Sequence, residues 1–330
     1  MSRRREAISL RRPGRALRSL SLAHAAGAGL LAVGVLIGSS TSAGAQASPR
    51  HTVGATVGEL AVCAGTPGSP GTLAGLYPAG VIVKGACEVN AGPARVDGDL
   101  LLAPGSVLLA NFARDDKTLE GHSNLVVTGD VTVERGATLF LGCKVVAGGA
   151  GLPCADDPNP KHPTLASAGR IDGSLIVLSA LGVVVHNTTI GGNVLQDGGG
   201  GGLSCRPTGP FLAAKVPVYS DYEDSTVLGN IAVDGITSCW LGFARDQVRG
   251  SVVLVGNRLA DPDAVEIISN RISGDLVCAG NSSVWDSFDK IQGKLYPRIF
   301  APDSVSGARV GQCTLATPLS PGRQPGPAAF

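Results

Sequence analysis

Aromatic residues are scarce, at 4% of the 330, and charged residues make up only 16%. Few rings argue against a sugar groove built on exposed aromatics. The formal charge of +1 misleads, because seven arginines and one acid lie before residue 46. The remainder holds 20 basic against 25 acidic residues, about −5. Such a chain lacks the basic face that nucleic acid requires. No Cys-x-x-Cys pair occurs, which removes the usual spacing of a structural metal site. No Gly-His-Gly or Arg-x-Lys accompanies the acids, as the polygalacturonase-like β-helix enzymes would lead one to expect. The glycine run 198–202 is not followed by Lys-Ser/Thr, so it is a loop tip rather than a phosphate cradle.

Long apolar runs are missing too. The longest, Ala25–Ile37, is too short to span a bilayer as a helix. It follows an arginine-rich start and precedes the overlapping Ala-x-Ala sites Ala43-Gly44-Ala45 and Ala45-Gln46-Ala47. These are the three parts of an export signal, expected to cover residues 1–45. Ser2-Arg3-Arg4 and Leu10-Arg11-Arg12 carry the paired arginines of twin-arginine export without the apolar pair after them, so general secretion is expected. The expected location is secreted or at the cell-envelope surface, with no membrane span after cleavage.

What the chain does have is glycine (47), proline (21) and a 44% hydrophobic fraction that is mostly aliphatic. Aliphatic runs punctuated by glycine read as short buried strands and tight turns. The pattern aliphatic-x-Gly-polar-aliphatic recurs seven times, on Gly98, Gly129, Gly173, Gly192, Gly229, Gly250 and Gly274. The steps between them are 31, 44, 19, 37, 21 and 24 residues. The shorter steps suit one coil of a β-solenoid; the longer ones are a coil with an insertion or a second, degenerate coil. Alternate residues would point inward and stack on their equivalents, so Leu100 and Leu102, Val131 and Val133, and Leu175 and Val177 must be aliphatic. Glycine is expected at corners for its backbone freedom, with Asp, Asn or Ser beside it bonding the local backbone. The predicted fold is an all-β β-helix, right-handed and parallel, with disulfide-closed caps. A β-sandwich with glycine-rich hairpins is the competing architecture.

Eight cysteines (Cys63, Cys87, Cys143, Cys154, Cys205, Cys239, Cys278, Cys313) follow the export signal. An even number in an exported chain implies disulfides. Their connectivity stays open among 105 pairings, neighbour with neighbour being the simplest.

The run Leu60-Ala61-Val62-Cys63-Ala64-Gly65, followed by Gly71-Thr72-Leu73-Ala74-Gly75-Leu76-Tyr77, Val81-Ile82-Val83, Cys87 and Leu102-Ala103-Pro104-Gly105-Ser106, has a distinctive spacing. With Ser273-Gly274-Asp275-Leu276-Val277-Cys278-Ala279-Gly280-Asn281 and Gly311-Gln312-Cys313, it resembles a group of exported, actinobacterial-type proteins with repeated Val-x-Gly-Asn-Val coils and no assigned activity. The resemblance covers about residues 58–313 and implies fold and export only. The insertions at 109–123, 142–168 and 197–224 depart from the simplest pattern.

The expected organisation is a signal peptide (1–45), a leader (46–57), one solenoid domain (58–313) and a disordered tail (314–330). Within the domain, 58–95 is an N-terminal cap, 96–283 the coils and 284–313 a C-terminal cap carrying Trp285, Phe288, Tyr296 and Phe300.

Candidate chemistry is sparse. Asp115-Asp116 and Asp156-Asp157 are adjacent acids expected in solvated loops. Asp221, Glu223 and Asp224 lie within four residues; a solvated turn is the expected reading, and a Ca²⁺ site the alternative. His186 ends an apolar run and reads as a rung-end side chain. Asn187-Thr188-Thr189 and Asn281-Ser282-Ser283 are formal glycosylation sequons, read as corner asparagines. The function these features predict is a non-catalytic exported module, structural or binding an envelope or extracellular polymer, with no cofactor. The alternative is a polysaccharide lyase or hydrolase with its site in the 142–168 and 197–224 insertions. A third reading is a self-assembling filament.

Overall fold

The computed structural model describes residues 59–114, 122–146, 151–159, 162–261, 265–282, 284–286 and 303–314. The export signal, leader, Asp115-Asp116, most of the aromatic C-terminal segment and nearly all of the tail lie outside them.

The chain winds as a parallel β-helix. Each coil contributes short strands to three parallel sheets in turn. The first sheet runs from Ala61–Gly65 through Leu100–Leu102, Leu175–Leu178 and Ile231–Asp234 to Arg309–Gly311. The second includes Val107–Ala110, Thr138–Leu141, Gly182–His186, Tyr219–Glu223, Trp240–Ala244 and Val265–Ile268. The third includes Ala94–Val96, Leu125–Val127, Thr188–Ile190 and Arg271–Ile272.

Strand alternation follows from the aliphatic pattern. In Leu100–Leu102 and Val131–Val133 the outer two residues are buried and the middle one faces out. Leu100 pairs with Val131 and Val131 with Leu175, so the inward side chains stack coil upon coil. In the third sheet Val127, Ile171, Ile190, Val227, Val248 and Ile272 form one such column, each at most 2% exposed. Burying one of these side chains contributes about 1.5–3 kcal/mol. No single coil could cover its own inner face, which is why the coils stack.

The repeat glycines sit between the third sheet and the first. Gly129 donates to the Gly98 carbonyl, and the ladder continues through Gly173, Gly192, Gly229, Gly250 and Gly274 to Gly307. Only Gly98 among the seven motif glycines has positive φ, so backbone freedom is not the general reason for them. Close approach is. A Cβ on Gly229 would lie 2.5 Å from both the Gly192 carbonyl oxygen and Asn193 Oδ1. The polar residue beside each glycine also acts between coils rather than locally: the Asn230 amide donates to Asn193 Oδ1, and the Ser251 amide to Asn230 Oδ1. Glycines of positive φ recur instead at the corner after the first sheet, at Gly105, Gly136, Gly235, Gly256 and Gly280.

Each long step between glycines proves to be one coil with an insertion. Residues 58–95, expected as a cap, already hold coils: Ala61–Gly65 pairs with Val81–Glu88, which pairs with Leu100–Leu102. At the other end Ser304–Val305 and Arg309–Gly311 continue the third and first sheets.

Four disulfides join neighbours in the sequence. Cys63–Cys87 and Cys278–Cys313 close the two ends. Cys143–Cys154 closes the 142–168 insertion on itself, and Cys205–Cys239 ties the 197–224 insertion to the residue before the strand Trp240–Ala244.

Candidate functional site

The outer face of the second sheet is where both large insertions fold back. On it Phe140, Val184, Tyr219, Trp240 and Ala244 pack with Phe211 and Val218 into a second apolar cluster, outside the solenoid. Phe211 lies with its ring centre 5.3 Å from Phe140 and 5.4 Å from Tyr219, and Tyr219 lies 5.5 Å from Trp240. Gly242 has no side chain because the Trp240 indole lies where its Cβ would be.

Beside this aromatic row lies a buried ionic cluster. Period-two alternation sends Val183 and Val185 inward, so Val184 and His186 point out. On the next coil Tyr219, Asp221 and Glu223 point out while Tyr222 points in and stacks on Phe243. The register pairs Val184 with Asp221 and His186 with Glu223. His186 Nε2 lies 3.3 Å from Asp221 Oδ2, and its Nδ1 lies 3.6 Å from Glu223 Oε2. Arg245, one coil further on, donates to Glu223 Oε2 at 2.7 Å and to both oxygens of Asp224 at 2.8 Å. The His186, Asp221 and Glu223 side chains are at most 3% exposed.

Asp221, Glu223 and Asp224 are therefore not a solvated turn. Asp221 and Glu223 are mounted on a coil strand and sealed, and the insertion before them ends ahead of Tyr219. Their protonation follows from that burial. Desolvation holds the Glu223 carboxyl up at about 7, with His186 and Arg245 pulling the other way. Burial also raises Asp221, against the opposing charge of His186. For His186, burial alone would depress the imidazole, but Asp221 and Glu223 outweigh it and the pKa ends above its ordinary value. Burial would lower Arg245 likewise, yet its bonds to Asp224 and the charge of Glu223 keep it protonated. Asp246, the next residue, is fully buried and raised well above the carboxylate range by desolvation, while it accepts from the Ser225 amide.

The alternative reading, a Ca²⁺ site on the three carboxylates, meets a different grouping. The side chains whose ligand atoms come within 4.8 Å of one another are His186, Glu223 and Asp224, with Asp221 outside the group. Ca²⁺ takes six to eight oxygens. Here one donor is an imidazole, and Arg245 already holds both oxygens of Asp224 and one of Glu223, so the donor set does not suit it.

The other candidates are placed apart from this cluster. Asp156 accepts from the Ala113 and Arg114 amides at 2.8 and 2.7 Å, tying one insertion to another. Asp157 accepts from Leu165, Asn159 and Thr164, and these amides lower its pKa. Asn281 is buried in a ladder with Asn257 and Gln312. Asn187 occupies a left-handed corner (φ 47) and donates to the Ser167 carbonyl. Both sequon asparagines are thus corner residues. The aromatics Phe288, Tyr296 and Phe300 lie outside the described residues.

Among the described residues no helix is long and apolar enough to cross a membrane. The chain matches no protein-family model, no curated protein and no solved structure.

Proposed function

We propose that this chain is an exported, non-catalytic β-solenoid, a structural or binding module that works outside the cytoplasm or at the cell envelope, where an extracellular polymer is the partner class. The observation that carries the reading is the sealing of the acid–imidazole cluster: Asp221 and Glu223 are fully buried, and Arg245 occupies an oxygen of Glu223. A glycosidase needs two carboxyls open to substrate and water across a scissile bond. Buried, cross-paired carboxyls instead order the outer face of a coil. The four disulfides support export, since such bonds persist in oxidising compartments.

One observation favours the enzymatic reading as the runner-up. Glu223, held at about 7 beside His186 and Asp221 on rigid strands, has the protonation of a general acid. The two readings part in one experiment. The purified chain, and a variant with Cys143, Cys154, Cys205 and Cys239 all changed to Ser, which frees both insertions folded over this face, are incubated with uronate-containing and neutral polysaccharides, with and without Ca²⁺. The expected result is no new reducing ends and no unsaturated products from either. Turnover that disappears in Asp221→Asn/Glu223→Gln would overturn the module.

A further inference from the structure

The three outer faces of the solenoid are treated differently by the sequence. The second sheet is covered by insertions and aromatic rings. The third presents mostly polar side chains at its central outward position, in register from Arg95 through Arg170, Thr189, Thr226, Gln247 and Arg271 to Ser304, with Leu76 and Val126 the apolar exceptions. The first sheet is covered by nothing among the described residues and presents no charge at its centre. There the outward position runs in unbroken register from Val62 to Val310 through Leu101, Ile176, Leu195 and Val253. Nine of its ten residues are aliphatic and the tenth is Thr132. Val62, Leu195 and Val310 are 55%, 43% and 45% exposed. Leu178, at 46%, widens the stripe.

Exposure alone would not say what covers such a face. Its size and composition do. Ten strands spaced about 4.8 Å apart make a stripe about 43 Å long. Strands of mostly three to four residues at about 3.3 Å each give a width of about 13 Å. The stripe therefore offers about 560 Å² per chain, and two such faces together bury about 1,100 Å², above the roughly 1,000 Å² a specific interface needs. A flat aliphatic row with a strand-spacing repeat is matched in period and polarity by another of its kind, as in sheets packed face to face about 10 Å apart. Isologous pairing also covers the whole stripe at once.

We propose that the outer face of the first sheet is a self-association surface, and that a second copy of this chain packs against it face to face. The proposal is independent of whether the covered cluster on the second sheet is inert. The borders of the stripe carry Asp99, Asp130 and Asp275 on one side and Glu134, Asp197 and Asp234 on the other, with Lys84 the cation among them, a net negative charge that repels between copies. Added salt therefore tightens the dimer, opposite to an interface held by charge attraction.

Sedimentation velocity of the mature, disulfide-intact chain tests this. The expected result is a dimer at about 100 µM that dissociates on dilution, and dissociates less readily as salt rises. Ile176→Lys/Leu195→Lys should be monomeric with an unchanged far-UV spectrum. Ile176→Thr/Leu195→Thr/Val253→Thr, which keeps β-branched residues in the strands, should weaken association at least tenfold. Thr189→Lys, on the third sheet, should leave it unchanged. A wild-type monomer at that concentration overturns the proposal, as does a dimer that survives both first-sheet variants or is lost in Thr189→Lys.

Discussion

Arg245 and Asp224 occupy the same corner of successive coils, both in left-handed backbone (φ 60 and φ 52), and the guanidinium of one closes on both oxygens of the other. Non-glycine residues meet a steric cost in that conformation. Here they are held by the stacked coils, and the pair they form also reaches Glu223. Removing the cation strands Asp224, and above about pH 7 Glu223 as well, in a covered site, which costs about 3–5 kcal/mol for buried pairs. Arg245→Met should therefore lower the urea-unfolding free energy by that amount with disulfides intact. Adding Glu223→Gln and Asp224→Asn to it should restore more than half, because no uncompensated charge then remains. A loss below about 1 kcal/mol for Arg245→Met alone would mean that the ion pairs contribute little.

The same cluster sets a pH dependence with a definite sign. Glu223 titrates at about 7 in the fold against 4.5 when free, so folding favours its protonated form. Its contribution is complete below about pH 4.5 and fades as pH rises through about 7. His186 is raised above 6.5, and its contribution likewise fades as pH rises through its folded pKa. Asp157, lowered by backbone amides, acts in the opposite direction and only below about pH 4. Calorimetry at constant ionic strength should show Tm falling between about pH 5 and 8, with a shallower fall in Glu223→Gln. A Tm that rises across that interval, or an unchanged slope in the variant, would contradict the assignment.

The coil architecture was legible because the constraint behind it is local and repeated. Every repeat glycine marks a backbone approach that a Cβ would block, and the flanking aliphatics mark the inner column. The cluster was hidden by the insertions. Read forward from Gly173, His186 comes after 13 residues, whereas Glu223 comes 31 residues after Gly192, so no shared position is evident. Counted six residues back from Gly192, Gly229, Gly250 and Gly274, the chain gives His186, Glu223, Ala244 and Ile268, which are one column of the second sheet. Five back gives Asn187, Asp224, Arg245 and Ser269, the left-handed corner. From Gly173 to Gly274 the coils vary in length before the second sheet and not after it, so within that stretch only the backward count preserves register; the earlier coils carry their insertions after the second-sheet strands Val107–Ala110 and Thr138–Leu141. Burial of the acids had no such signal, because it depends on how the insertions fold over them.

The inner column of the third sheet yields a paired test of register. Val227 is 1% exposed, between Ile190 and Val248. Val227→Asp places a carboxylate there with no partner and should cost several kcal/mol. Thr128, one position off the same column and half-buried, should accept Asp within about 1 kcal/mol. Similar losses in chemical denaturation of the two variants would show the inward and outward assignments to be wrong.

Glycine supplies the sharpest test, because two classes of it occupy neighbouring corners of one coil for different reasons. Gly229 lacks positive φ, yet a Cβ there would meet the Gly192 carbonyl and the Asn193 side chain of the previous coil. Gly235 has φ 66 and nothing within 4 Å of its would-be Cβ. Steric exclusion between coils cannot relax without parting the Gly192–Gly229–Gly250 hydrogen-bond ladder, and a parted ladder also breaks the Asn193 and Asn230 side-chain bonds. Left-handed backbone, by contrast, costs a non-glycine residue only about 1–2 kcal/mol, and asparagine less. Gly229→Ala should therefore destabilise by more than about 3 kcal/mol and raise amide exchange in the coils on both sides of it. Gly235→Asn should stay within about 1 kcal/mol and leave exchange unchanged. If Gly235→Asn proves the more damaging of the two, backbone conformation rather than coil-to-coil approach selects glycine in this repeat.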